Sequence, residues 1–318
     1  MAHPVIRLGI SSCLLGEQVR WDGGHKLDPW LADQLGRFVQ YYPVCPEVGC
    51  GFSVPREPLC LVGDPHVPRL VTVRTRQDHT GRMLGWARRR VRELGGEELC
   101  GFIFKGKSPS CGTERVKVYN ARGVVAPKGV GIFARVFRER FPLLPVEDDG
   151  RLQEPQLRAN FIERCFVMKQ WRDGLRQRRR SHGKLLQFHT EQALLILSHS
   201  PRHHRIMGSL VARARTKSTA TLYAEYEQLL LEAQRLMATP AKHSNVLRHA
   251  MGYFKKRLSR EEREELHELI ACYRQGQVPL IVPLDRINHY VRLFDLAYLR
   301  QQRYLLPQTL QLKLRDLL

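Results

Sequence analysis

The chain has 318 residues, 43% hydrophobic and 26% charged, so it is long enough to build two domains with a core in each. No apolar run approaches the ~20 residues that span a bilayer, and Met1-Ala2-His3-Pro4 leads into a strand without a leader pattern, which predicts a cytoplasmic protein with no membrane partner. The formal net charge of +21 is unevenly placed: residues 1–157 carry a net +6 and residues 158–318 a net +15, so the second half favours a polyanion such as nucleic acid over a merely soluble basic surface.

The first half alternates strands with helices. Val5 to Ile10, Phe38 to Val44 and Leu99 to Phe104 are short apolar runs that read as buried strands. Leu70 to Thr75 and Val116 to Tyr119 are further β-like runs. Pro29 to Leu35, Thr80 to Leu94 and Gly129 to Phe141 read as helices. This alternation predicts an α/β domain, Rossmann-like, with a mainly parallel sheet.

Three of the strands end in a cysteine-bearing loop. They exit into Ser11-Ser12-Cys13, Cys45-Pro46-Glu47 and Lys107-Ser108-Pro109-Ser110-Cys111-Gly112. Sites in open α/β sheets form at the carboxyl ends of strands, so Cys13, Cys45 and Cys111 are expected at one edge. The eight cysteines are too dispersed for a disulfide scaffold. Three thiolates at one point suit an iron–sulfur cluster with one open iron, or zinc. Packing or redox thiols remain alternatives, and Cys50, Cys60 or Cys100 could add a fourth ligand. Glu47 is a candidate general base or water holder, or else a surface or capping carboxylate. Ser108 and Ser110 are candidate hydrogen-bond donors, or simple turn formers.

The second half reads as all-helical. A turn-rich connector, 142–155, precedes a helix over Ala159 to Arg180 that ends in a basic run. Further helices are expected over Lys184–Ser198, Arg202–Arg215, Thr219–Met237, Lys242–Arg257, Arg260–Gln275 and Asp285–Tyr304, with breaks at Pro201, Pro240, Pro279 and Pro283. Leu222, Tyr223, Tyr226, Leu229 and Leu230 form an apolar stripe that reads as core. The crowded His182, His189, His199, His203 and His204 read as core or surface histidines. Candidate RNA phosphate contacts are Arg176, Arg178, Arg179, Arg180, Arg213, Arg215, Lys217, Lys255, Lys256 and Arg257.

Taken together, Ser11-Ser12-Cys13-Leu14-Leu15-Gly16, Asp22-Gly23-Gly24, Cys45-Pro46-Glu47 and the Lys107–Gly112 motif resemble the thiouracil desulfidase (TudS) family over about residues 5–157. The stretches Lys184–Thr190 and Leu197–Pro201 resemble the YbgA-type domain often fused to it. The resemblance implies a [4Fe–4S] cluster held by Cys13, Cys45 and Cys111, with one iron open to the sulfur of a thiolated pyrimidine. It implies Glu47 as the catalytic carboxylate, Ser108 as an assisting serine, and hydrolytic replacement of C=S by C=O. For the fusion it implies thiolated tRNA, as 4-thiouridine, as the partner. The expected organisation is a desulfidase domain over 1–157, a basic helical linker over 158–180 and an all-α domain over 181–318. The competing expectations are an enzyme for free thiouracil only, or a non-catalytic RNA-binding protein with a structural metal.

Overall fold

The computed structural model describes residues 6–120, 123, 125–176 and 180–306. The chain divides into two compact units, and the division falls at residues 169 and 170, inside one long helix. The first unit is α/β and the second all-helical. In chain order the first contains β1 (Ile6–Ser11), β2 (Val39–Val44), α1 (Pro46–Gly49), β3 (Leu59–Val62), β4 (Arg69–Thr72), α2 (Thr80–Leu94), β5 (Gly101–Phe104), β6 (Val116–Tyr119), β7 (Val125–Gly129), α3 (Ile132–Arg140) and β8 (Val146–Asp148), and leads into α4 (Pro155–Arg176).

The expected parallel sheet is present, with strand order β2-β1-β5-β8. Every residue of β5 is buried, as a parallel strand covered on both faces should be. Phe102 and Phe104 of β5 stack at 4.2 Å, and Phe137 of α3 lies 4.8 Å from Phe102, edge to face. A second sheet, order β4-β3-β6-β7, is a departure from the expected single sheet, and it is mixed rather than parallel. β4 and β6 coincide with the β-like runs expected over Leu70 to Thr75 and Val116 to Tyr119, whereas β3 and β7, of four and five residues and the latter containing Pro127, carry too short a pattern for periodicity to reveal. Its core of Leu61, Leu70, Val116 and Val118 packs with Met83 of α2 and Ile132 of α3. Because Phe133 and Phe137 of α3 meet the β5 aromatics, that one helix serves both sheets.

The register matters more than the strand order. Ser11 pairs with Val44, Ile10 with Ile103, and Phe104 with Asp148. The four strands therefore finish at one level, and the loops that follow them leave the sheet side by side.

The second unit contains α5 (His182–His199), α6 (Pro201–Ala212), α7 (Thr219–Arg235), α8 (Pro240–Met251), α9 (Arg260–Arg274), α10 (Ile281–Leu293) and α11 (Ala297–Arg300). Five of these starts are capped by a side-chain oxygen: Ser181, Ser200, Ser218, Thr239 and Ser259, the last in a capping box with Glu262. Pro201 and Pro240 are the first residues of their helices and not breaks between them, since an N1 residue needs no N–H partner. Pro283 likewise lies inside the first turn of α10. The single helix expected over Asp285–Tyr304 is two, divided where Asp295 adopts φ +50°. Along α7, Leu222, Tyr223, Tyr226 and Leu230 are buried, as the apolar stripe predicts. Trp171 stacks on Tyr226 at 5.4 Å. Burial holds the His189 imidazole down at about 4, and its ring nitrogen meets the Tyr226 hydroxyl at 3.2 Å.

Candidate active site

Cys13, Cys45 and Cys111 line one cavity of about 350 Å³ in the first unit, together with Glu47 and Ser108. Local structure delivers each residue there. Cys13 sits in a tight 3-10 turn after β1 that closes on Gly16 at φ +91°, a backbone angle that favours glycine. Cys45 follows β2 directly and caps α1, with Pro46 as the first helical residue. Cys111 ends the loop that leaves β5. The amide of Lys105 donates to Ser11 Oγ at 2.9 Å, joining the exits of β5 and β1. Asp149, beyond β8, accepts from the Gly106 amide at 2.7 Å and from Lys105 Nζ at 2.8 Å.

Gly131 closes the loop from outside. Its amide donates to the Gly112 carbonyl at 2.8 Å. A Cβ at this position would stand 2.6 Å from the Ser110 carbonyl carbon and 2.7 Å from the Cys111 nitrogen, and backbone cannot turn away as a side chain can. We expect Gly131→Ala to displace the Ser110–Cys111 peptide and to cost roughly 1–3 kcal/mol of stability, read from the urea midpoint.

Burial raises all three thiols. Cys13 is pushed up to about 11, mainly by desolvation and then by Cys45, against the opposing charges of Lys105 and Arg20. Cys45 is raised by desolvation. Cys111 is buried and raised well above the ordinary thiol value by desolvation, with Cys45 and Cys13 adding to the effect and a hydrogen bond from Ser11 opposing it. The three therefore feel one another. Among the described residues no three His, Cys, Asp or Glu side chains stand together as ligands of a single ion. The three thiols surround a space, and Cys50, Cys60 and Cys100 do not line it. Soft donors spread around a cavity fit a group larger than one ion.

The Glu47 carboxylate is gripped from both ends. Arg56 donates to Oε2 through Nε at 2.9 Å and Nη2 at 2.6 Å, and Ser110 Oγ donates to Oε1 at 2.9 Å. The Arg56 side chain is only 5% exposed and that of Glu47 15%. The same guanidinium donates to the carbonyls of Val19 at 2.8 Å and Ser53 at 3.1 Å, so Arg56 ties its own loop and the Val19 stretch to the carboxylate. Neither Arg56 nor the Ser110 contact was legible in the sequence, where Arg56 stands in an irregular stretch with no motif. Ser108 Oγ accepts from the amides of Ser110 at 3.2 Å and Cys111 at 3.1 Å, which shapes the loop and leaves its hydroxyl proton free to donate.

Asp148, behind the loop, is pushed up to about 6 by desolvation, against hydrogen bonding from Thr113; Asp149 and Glu147 raise it further. Its folded value lies above the unfolded one. Its contribution is therefore full below the ordinary carboxylate range and is lost as pH rises through about 6. Asp148→Asn is expected to flatten this decline, on the order of 2 kcal/mol, in urea midpoints taken across pH 4 to 7.

The basic candidates all belong to the second unit or to the end of α4. Arg180 is exposed, with its guanidinium over the Tyr223 ring at 5.4 Å. Arg213 is exposed at the end of α6, and Lys255 and Lys256 are exposed in a short 3-10 turn. Lys217 pairs with Glu225 at 2.6 Å, and Arg257 donates to the Phe294 carbonyl at 3.1 Å. Arg178 and Arg179 lie outside the described residues, as do the side chains of Arg176 and Arg215. Among the described residues no helix is long and apolar enough to cross a membrane.

Residues 8–149 match the family model described as 2-thiouracil desulfurase, and residues 194–309 match that of a protein family of unknown function, DUF1722. The uncharacterized protein YbgA of Escherichia coli (strain K12) is 37% identical over 136 residues, which are 42% of this chain and 80% of that protein. The solved structure of a [4Fe-4S]-dependent thiouracil desulfidase, TudS, is 30% identical and covers 46% of this chain and 93% of its own, at a TM-score of 0.39.

Proposed function

Because this chain belongs to the 2-thiouracil desulfurase family through residues 8–149 and to the family of YbgA through its C-terminal region, we propose that it removes sulfur from thiolated uracil, carried as 4-thiouridine in tRNA, by exchanging C=S for C=O with water. The observation that carries this reading is the meeting of Cys13, Cys45, Cys111 and Glu47 on one cavity. The three cysteines would hold a [4Fe–4S] cluster. When bound, such a group supplies an iron without a protein ligand, able to take a soft thiocarbonyl sulfur and draw electron density from its carbon.

The remaining work belongs to the chain. Glu47, fixed by Arg56 and Ser110, orients a water toward the ring carbon and takes its proton. Oε1 accepts one hydrogen bond from Ser110 and keeps a lone pair for that water. The hydroxyl proton of Ser108 is available to the substrate. The oxygen of water ends on the ring carbon and the sulfur leaves as hydrogen sulfide, so no electron is gained or lost. Loading requires the three raised thiols to lose their protons.

The tRNA assignment is supported by the net +15 of residues 158–318 and by the exposed Arg180, Arg213, Lys255 and Lys256. Expression of the wild type should lower the 4-thiouridine content of bulk tRNA, and expression of Glu47→Gln should not. If 4-thiouridine persists while free thiouracil is consumed, the substrate is the free base. If the anaerobically reconstituted protein holds no iron and releases no sulfide, the cluster-dependent reading fails.

A further inference from the structure

Three thiolates gather negative charge on one cavity, and the Glu47 carboxylate there is already matched by Arg56. The other cations that line the cavity are Arg20, Lys26, Lys105 and Lys107. Lys26 and Lys107 are exposed, so water and salt screen them. Arg20 faces the exposed Asp22 at 3.5 Å. Lys105 differs. Its side chain is 21% exposed and that of its partner Asp149 17%. A charge drawn that far out of water is felt more strongly by its neighbours.

The ammonium is held in place. Lys105 follows β5 directly, and its amide is fixed to Ser11 Oγ at 2.9 Å. Its Nζ donates to Asp149 Oδ2 at 2.8 Å and to the Gly106 carbonyl at 3.3 Å. An ammonium has three donors, and among the described residues the third meets no acceptor. Asp149 is itself anchored, because its Oδ1 accepts from the Gly106 amide at 2.7 Å.

The pair does not cancel at the site. Lys105 lines the cavity and Asp149 does not. Around Cys13 the positive charge of Lys105 outweighs the negative charge of Asp149. The two side chains thus form a dipole whose positive end is the nearer to the cysteines.

We propose that Lys105, fixed by Asp149, is a positioning residue for the cluster: the counter-charge that stabilises the negative charge gathered when Cys13, Cys45 and Cys111 hold it. This rests on the desulfidase reading for the cluster itself, and the test separates the two. The anaerobically reconstituted full chain is titrated with a reductant, the cluster is followed by electron paramagnetic resonance, and the midpoint potential of its one-electron couple is read. Reduction adds negative charge, so removing a nearby cation makes it harder. Lys105→Met should lower the ratio of reduced to oxidised cluster at a fixed potential about 10-fold, which is a midpoint about 59 mV more negative. Lys105→Arg keeps the charge and should hold that ratio within about twofold of wild type. Asp149→Asn keeps an acceptor for the Gly106 amide and removes the negative end of the dipole, so its midpoint should move the other way. A merely structural pair would not give shifts of opposite sign. A midpoint unchanged in Lys105→Met, or moved in the same direction in both variants, would overturn the proposal. If Lys105→Met takes up no cluster, Asp149→Asn decides: a more positive midpoint supports the counter-charge, and an unchanged or more negative one overturns it. Sulfide release from the same samples tells the two readings apart. Unshifted midpoints in an active desulfidase remove the counter-charge alone. Opposite shifts in a protein that releases sulfide from no thiolated uracil remove the desulfidase reading alone, and a wild type that takes up no iron removes both.

Discussion

Glu47→Gln should lower kcat for sulfide release by about 10²- to 10⁴-fold and leave the iron content unchanged. Glutamine keeps the shape of the side chain and an acceptor for Ser110, but it cannot take a proton from water. Arg56 should show itself differently. It touches Glu47 through Nε and Nη2, the Val19 carbonyl through Nη2 as well and the Ser53 carbonyl through Nη1, so its role is to position. Arg56→Lys keeps the charge and loses the fork, and a loss of about 10-fold in kcat is expected. Arg56→Ala leaves a mostly buried carboxylate without its partner and should cost on the order of 3 kcal/mol of stability as well as activity. Sulfide release and urea midpoints measured on the same preparations check both effects. Full activity in Glu47→Gln would remove the general base from the mechanism.

Replacement of Cys13, Cys45 or Cys111 by Ser should each reduce iron to less than about a tenth of the wild-type content after anaerobic reconstitution, with loss of sulfide release. Serine is a hard donor that ionises poorly, and it offers iron little in place of a thiolate. Cys50→Ser is the informative control. Cys50 lies close enough to feel Cys45, yet its thiol approaches the Glu47 carbonyl at 3.4 Å and does not line the cavity. Iron content near wild type is expected for Cys50→Ser, Cys60→Ser and Cys100→Ser. A Cys50→Ser protein as poor in iron as Cys13→Ser would make Cys50 a fourth ligand and remove the open iron.

The control also shows where sequence reading reached its limit. Cys13, Cys45 and Cys111 stood out because each follows a short apolar run broken by Gly, Ser or Pro, which is a local pattern. Cys50 is five residues from Cys45, and nothing local separates it from a ligand. Only the turn of α1 carries its thiol back to the Glu47 carbonyl. Ser108 and Ser110 posed the same difficulty. Two serines flank Pro109, and the fold alone decides that Ser110 meets Glu47 while Ser108 receives two loop amides.

The amino-acid sequence by itself determined the two-part organisation, the buried parallel strands, most of the helices, and the three cysteine-bearing exits. All of these rest on periodicity and turn chemistry within a few residues. That the exits share one edge was an expectation from the α/β pattern; that they finish at one level and open on one cavity depends on the register of Ser11 with Val44, Ile10 with Ile103 and Phe104 with Asp148. Tertiary structure also decided the second sheet, since β3 and β7 carry too little pattern to see and the pairing of β4 and β6 with them is not local, and the grip of Arg56 on Glu47. An ion pair between a carboxylate in the one-turn helix α1 and a guanidinium nine positions on, in irregular chain, leaves no periodic trace; it exists only once the chain has turned back on itself.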